Sequence, residues 1–208
     1  VLLIDLKETD TINDIDKIPF PYREITNLNY YLTPHRIIPY NTGKSLTLIS
    51  SRGCPFTCTF CSTKIHWRRF RAHAAKRVVD EIEYLINQFN VEIIHIFDDL
   101  FIANKKRLFE IRDLILSKAI NKKVKFMCLV RSDIIDDEIM QALKDMNVVV
   151  TGAGFESGST KMLKIIKKNT TTIQDNENLV NLSIKYKIPV MGSFIIGNPH
   201  ETIDDIKE

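Results

Sequence analysis

Three cysteines fall within one short stretch, Cys54-Pro55-Phe56-Thr57-Cys58-Thr59-Phe60-Cys61, at the spacing C-x3-C-x2-C. Thiolates ligate soft metals, so the first question is which metal such a loop could hold. Three thiolates on one loop can bind three irons of a cubane cluster and leave the fourth iron open. A closed structural iron–sulfur site takes four cysteines. A structural zinc site could instead recruit His66 as its fourth ligand, although zinc knuckles and ribbons usually carry a second close pair of ligands and none follows here. A disulfide would strand one cysteine of the loop, and nothing else in the chain suggests an oxidising compartment. Buried cysteines with only a packing role would not cluster in this way. Cys128 lies far along the chain inside an apolar run and reads as a packed thiol.

The loop must be positioned by what flanks it. Before it stands Leu46-Thr47-Leu48-Ile49-Ser50, part of a strand predicted at 46–51, and after it an amphipathic helix predicted over 72–90. Further strands are predicted at 91–97, 124–130, 148–155 and 189–196. Helices are predicted at about 105–120, from Asp136 or Asp137 to about Met146, near 159–168 and at 173–187, with Thr202 a helix-start signal. Near-continuous apolar strands separated by helices indicate a parallel sheet covered on both faces. Right-handed crossovers curl such a sheet into part of a barrel. The predicted fold class is α/β: a partial (β/α) TIM-like barrel with helices outside, truncated after about five βα units. A doubly wound open sheet is the structural alternative, but no G-x-G-x-x-G follows any strand. Residues 1–45 differ in texture. After a short strand at Leu2-Leu3-Ile4, Pro19, Pro21, Pro34 and Pro39 predict an extended leader or interdomain linker, and the core domain is assigned to 46–208.

The length of 208 residues suits one domain with a sizeable core, and 44% hydrophobic with 26% charged residues is ordinary for a soluble globular protein. A net charge of +3 neither demands nor excludes nucleic acid. The basic and aromatic run His66, Trp67, Arg68, Arg69 and Arg71 reads as a solvated loop and helix start, so nucleic acid is not an expected partner. There is no apolar run of membrane-spanning length and no signal pattern, which gives a cytoplasmic expectation with no membrane association. The chain lacks an initial Met and stops in Asp204-Asp205-Ile206-Lys207-Glu208. It is therefore expected to be a piece of a longer protein, inactive by itself.

The cysteine loop, with Phe60 just before its last cysteine, resembles the signature of the radical S-adenosylmethionine enzymes, and the resemblance extends from about Leu46 to the C-terminus. Ile18-Pro19-Phe20-Pro21-Tyr22-Arg23 resembles the linker that joins a cobalamin-binding domain to the barrel in one subgroup. That subgroup includes the anaerobic magnesium-protoporphyrin IX monomethyl ester oxidative cyclases. The resemblance implies that Cys54, Cys58 and Cys61 hold a 4Fe–4S cluster whose open iron is chelated by S-adenosylmethionine. Reductive cleavage of that cofactor would then yield a 5′-deoxyadenosyl radical that abstracts hydrogen from a substrate.

It further implies that Asp98 or Asp99, standing where relatives carry a Gly-Gly-Glu-like segment, meets the methionyl ammonium. Neither acid has the family's glycines beside it, and a helix-preceding acid would also suit the dipole of the next helix. Arg131 could hold a carboxylate and Asp133 a ribose hydroxyl, or both could brace their loop. Glu156 and Ser157 resemble the segment that contacts the ribose and amino-acid part, with helix capping as the alternative. Ile195 and Gly197 resemble the G-x-I-x-G segment along adenine, with Ser193 in place of its first glycine. Phe60 would pack on adenine or tuck into the barrel mouth. The implied partners are a small-molecule substrate and an electron donor such as flavodoxin or ferredoxin, with cobalamin bound by a domain outside these residues. The reaction would be a cyclisation or methyl transfer. An RNA methylthiotransferase-like enzyme and a non-enzymatic zinc-binding module are the other readings.

Overall fold

The computed structural model describes residues 11–32 and 43–208. The expected strand at Leu2-Leu3-Ile4, and Pro34 and Pro39, lie outside the described residues. The elements run α1 (Leu28–Leu32), β1 (Ser45–Leu48), β2 (Ser51–Arg52), α2 (Thr63–Trp67), β3 (Arg71–Ala72), α3 (Ala75–Phe89), β4 (Ile93–Ile96), α4 (Lys105–Ser117), β5 (Lys125–Val130), α5 (Asp137–Asp145), β6 (Val148–Glu156), α6 (Thr160–Ile166), α7 (Ile173–Tyr186), β7 (Val190–Phe194) and α8 (Ile203–Lys207). Five strands form one parallel sheet in the order β1-β4-β5-β6-β7, each joined to the next through at least one helix. This is the α/β, TIM-like partial barrel that the alternation of runs predicts.

Strand alternation sorts the apolar residues into two layers. Leu46, Leu48, Ile94, Ile96, Phe126 and Cys128 join the helices in the main core, where Val78, Val79, Ile82 and Leu85 of α3 meet Leu108, Ile111 and Ile115 of α4. Ile93, Met127 and Val150 form a separate small cluster on the other face. In α3 the buried positions Ala75, Val78, Val79 and Ile82 follow the i, i+3, i+4, i+7 spacing of an amphipathic helix. Asp136 and Thr202 cap their helices as the sequence suggests, Asp136 accepting from the Ile139 N–H at 2.8 Å; Thr202, and likewise Thr172, forms a capping box with the Asp three residues on.

Two expectations are corrected. The strand predicted at 46–51 is broken after Leu48, because the N–H groups of Ser50 and Ser51 donate to the Asp98 carboxylate at 2.6 and 3.0 Å and are lost to the sheet. The chain then turns, and Ser51–Arg52 pairs antiparallel with Arg71–Ala72, which also delays the start of α3 to Ala75. The described part of the leader is not extended throughout. It makes single 3-10 turns at Ile15–Lys17 and Arg23–Ile25, with Pro19 and Pro21 between them, where no helical N–H is required. It lies along α3: Asp16 accepts from the Ala74 N–H at 3.1 Å, Arg23 and Arg77 flank the buried Glu81 at 3.1 Å each, and the Arg77 guanidinium sits 3.8 Å from the Phe20 ring centre. Among the described residues, no helix is long and apolar enough to cross a membrane.

Asp98 is 1% exposed and also accepts from both serine hydroxyls, Ser50 at 2.6 Å and Ser51 at 2.7 Å. Asp98→Asn sets an amide NH2 against groups that already donate. It is expected to lower unfolding stability by about 3–5 kcal/mol, as when one partner of a buried charged network is removed. Urea denaturation reads this as a lower midpoint at unchanged slope. A loss below about 1 kcal/mol would show that the four contacts do not hold the turn.

Candidate functional site

The strand ends form a cleft of about 430 Å3, within the size range of small-molecule sites. Its wall carries Cys54, Cys58 and Cys61 from the loop after β2, Asp99 after β4, Arg131 after β5, Glu156 at the end of β6 and Ser193 in β7. The cysteine loop is fixed from several sides. Gly53, at φ +85°, donates its N–H to Asp99 at 3.1 Å, and a Cβ there would lie 2.8 Å from the Arg69 carbonyl oxygen, so only glycine fits. The Thr59 N–H donates to the Ile166 carbonyl at the end of α6, 2.9 Å away. All three thiols are free; Cys61 is exposed, while Cys54 and Cys58 are partly buried. Burial pushes the Cys54 thiol up. Cys128 is fully enclosed in the core, where burial and the nearby Asp98 charge push its thiol far above the ordinary range, so it stays a neutral packing group.

The two adjacent acids are separated by their surroundings. Asp98 is turned under the loop and occupied by Ser50 and Ser51, and it does not line the cleft. Asp99 lines the cleft, with Thr63 Oγ1 3.4 Å from its Oδ1. Arg131, placed by sequence on a cofactor carboxylate, already donates through Nε to Asp133, through Nη2 to Thr170 and Thr171, and through Nη1 to the Cys58 sulfur. Asp133, expected at a ribose hydroxyl, is committed to Arg131 and does not line the cleft. The two side chains pair with each other across the Ser132–Ile134 turn.

Glu156 stands at the mouth at φ +66°, a left-handed conformation that costs a non-glycine residue roughly 1–2 kcal/mol. Its carboxylate forms a buried pair with Lys167 at 3.0 Å, and the Lys167 ammonium also donates to the Gly154 carbonyl at 3.1 Å. Phe60 lines the cleft, its ring centre 5.9 Å from the same ammonium. Ser157 faces a different, shallow pocket beside Phe155 and Asn176, where its hydroxyl accepts from the Ser159 N–H at 3.1 Å. Ile195 and Gly197 follow the end of β7 and do not line the cleft; the Ile195 N–H donates to the Glu156 carbonyl at 2.9 Å.

Sequence reasoning missed Lys167, since a basic residue closing a helix is ordinary and only the fold turns it inward. It also missed His95. This side chain shares the concave face with Ile93, is held neutral by burial, and its Nε2 has no partner among the described residues.

Among the described residues, no group of three His, Cys, Asp or Glu side chains is already arranged as a metal-ion site. His66, the proposed fourth zinc ligand, is packed edge-on against Trp67 at 4.5 Å between ring centres. A cubane takes its thiolates at separate corners, and the three free cysteines of the loop all line the one cleft.

The parallel partial barrel gathers three thiols and several ionic groups at its strand ends, where enzymes of this architecture carry their active sites. The family model described as the Radical SAM superfamily matches residues 48–208, and the chain belongs to that superfamily. Its cofactors are accordingly a 4Fe–4S cluster and S-adenosylmethionine. An uncharacterized methyltransferase of Pyrococcus horikoshii is 29% identical over 94% of this chain and 41% of its own length. The anaerobic magnesium-protoporphyrin IX monomethyl ester cyclase of Cereibacter sphaeroides is 28% identical over 99% of this chain and 33% of its own length. The chain thus spans about a third to two fifths of these relatives. The fold matches that of TsrM, a radical S-adenosylmethionine methyltransferase of Kitasatospora setae solved with cobalamin and a 4Fe–4S cluster, with a TM-score of 0.71 at 23% identity over 86% of this chain and 34% of that one.

Anaerobic reconstitution with iron and sulfide should load a 4Fe–4S cluster into the unaltered chain. Alanine at Cys54, Cys58 or Cys61 should abolish loading, while Cys128→Ala should leave it intact. Iron and sulfide analysis with a visible spectrum reads the result; a cluster that survives loss of a loop cysteine but not of Cys128 would reverse the ligand assignment.

Proposed function

We propose that Cys54, Cys58 and Cys61 hold the 4Fe–4S cluster at the cleft and that S-adenosylmethionine fills the space between them and the ends of β4, β6 and β7. The observation that carries this is the convergence of three free thiols, one unburied acid and a buried Glu–Lys pair on a single cleft. Held by Cys54, Cys58 and Cys61, the cluster would supply one-electron reduction of the cofactor's sulfonium, with methionine as the leaving group. The protein binds, orients and shields. Asp99 is the acid for the methionyl ammonium, a charge-assisted contact that Asp98, with its oxygens already occupied, cannot make. Lys167 fixes Glu156 Oε1, which leaves Oε2 to accept from a ribose hydroxyl. Phe60 offers an apolar wall to adenine. Arg131 and Asp133 act on the loop rather than on S-adenosylmethionine, and Ser157, Ile195 and Gly197 are not used in this reading.

The substrate is a small molecule that gives up hydrogen, and the reaction is a methyl transfer or an oxidative cyclisation. The methyltransferase and cyclase relatives support this reading, as does the cobalamin-bearing fold neighbour. In it, cobalamin is held by a domain outside residues 46–208, and residues 1–45 are the linker to that domain. A flavodoxin or ferredoxin provides the electron, nucleic acid takes no part, and the protein works in the cytoplasm.

Asp99→Asn removes one charge-assisted contact, worth about 1.5–3 kcal/mol. It should weaken S-adenosylmethionine binding to the reconstituted protein roughly ten- to hundredfold at constant iron content. Glu110→Gln, on the exposed side of α4, is the control and should change nothing. Calorimetric titration gives the constants, and equal affinity in Asp99→Asn and the unaltered protein would remove Asp99 from the site.

A further inference from the structure

Arg131 is the most heavily engaged side chain at the cleft. Four of its five N–H groups are assigned: Nε to Asp133, Nη2 to Thr170 and to Thr171 at 2.8 Å, and Nη1 to Cys58 Sγ at 3.1 Å. The guanidinium carbon lies 3.8 Å from the centre of the Phe56 ring, between Cys54 and Cys58 in the chain, and the residue is 7% exposed. Thr170 passes the contact on, since its hydroxyl donates to the Lys167 carbonyl at 2.6 Å. A fork so fully used has no paired donors left for a cofactor carboxylate. What it offers instead is one oriented N–H, carried by a buried cation and aimed at a cysteine sulfur.

We propose that Arg131 positions Cys58 and tunes the cluster held there, its hydrogen bond to the Cys58 sulfur raising the cluster's midpoint potential. This rests on the reading that the three loop cysteines hold the cluster. Reduction adds one electron, and part of the added charge resides on the thiolate sulfurs. A donor fixed on one of those sulfurs stabilises the reduced state more than the oxidised one. Asp133 offsets much of the guanidinium's net charge, so the effect depends on the directed N–H and on the balance within the Arg–Asp pair. Two consequences of opposite sign follow. Loss of the donor lowers the potential, and loss of the Asp133 charge leaves Arg131 unbalanced and raises it.

The test uses reconstituted protein with Arg131→Gln, Arg131→Lys and Asp133→Asn, each assayed for iron and then titrated potentiometrically with detection of the reduced cluster by electron paramagnetic resonance. Arg131→Gln should disfavour reduction about tenfold, which for a one-electron couple is about 59 mV toward negative values. Arg131→Lys, with the charge but not the fork, should fall between Arg131→Gln and the unaltered protein. Asp133→Asn should shift positive. If Arg131→Gln takes up no cluster, the other two variants decide by the same signs. Loaded variants with the potential of the unaltered protein would overturn this proposal alone. An unaltered protein that takes up no cluster would overturn the function proposed above and this proposal with it.

Discussion

The Asp98 carboxylate gathers both backbone N–H groups and both hydroxyls of Ser50 and Ser51, and the rest of the site depends on that grip. It joins the end of β4 to the end of β1 and stops the first strand. The chain then turns into the cysteine loop over the mouth of the sheet rather than continuing past it. The other side of the same turn is secured by Arg107 of α4, which donates to the Ser50 carbonyl at 2.8 Å and to the His73 carbonyl at 2.7 Å. A negative group below the loop and a positive group beside it thus use up the backbone polar groups that a broken strand would otherwise leave buried and unpaired. From that starting point, the Thr59 contact to the end of α6 and the Arg131 contact from β5 need only hold a loop that already points the right way.

Cohesion and geometry come from different residues. Side chains such as Ile82, Leu85, Ile94 and Phe126 are fully buried, and each contributes about 1.5–3 kcal/mol by leaving water. The buried ionic groups, Glu81 between two arginines, Asp98 near Arg107 and Glu156 with Lys167, are poor sources of net stability because desolvation offsets their attraction. Their value lies in direction. Each ties one element to another at a fixed angle, and the latter two stand beneath or beside the cleft. The core could be repacked with other apolar residues of similar volume, whereas Asp98 or the Glu156–Lys167 pair could not lose a partner without disturbing the elements that flank the cleft.

Much of this was legible in the chain. Strand runs, helix periodicity and the cap residues Asp136 and Thr202 are local properties, and local properties survive folding. The cysteine spacing is equally local. What could not be read was orientation. Asp98 and Asp99 are chemically identical neighbours, and only the point at which β4 stops decides which of them goes under the loop and which faces the cleft. Arg131 and Asp133 look like two free polar groups until the tight turn at Ser132–Ile134 folds one onto the other. Lys167 resembles any helix-closing lysine until α6 is laid against β6. The leader misled in a similar way, for its prolines suggested an extended strap while Asp14, whose side chain accepts from the Asp16 N–H, starts a turn between them and the N-terminus.

The unequal exposure of the three loop cysteines has a practical side. Cys61 is open to solvent, Cys54 and Cys58 are partly shielded, and Cys128 is sealed within the core. In metal-free protein exposed to air, damage therefore has an order: Cys61 meets peroxide first and moves up the sulfenic–sulfinic ladder, while Cys128 stays untouched. Peptide mass mapping of aged material would record that order, with Cys128 oxidised early as the result that contradicts it. A preparation that folds normally and melts normally could thus have lost the capacity to be loaded, because the vulnerable thiol lies outside the packing that stability measurements report.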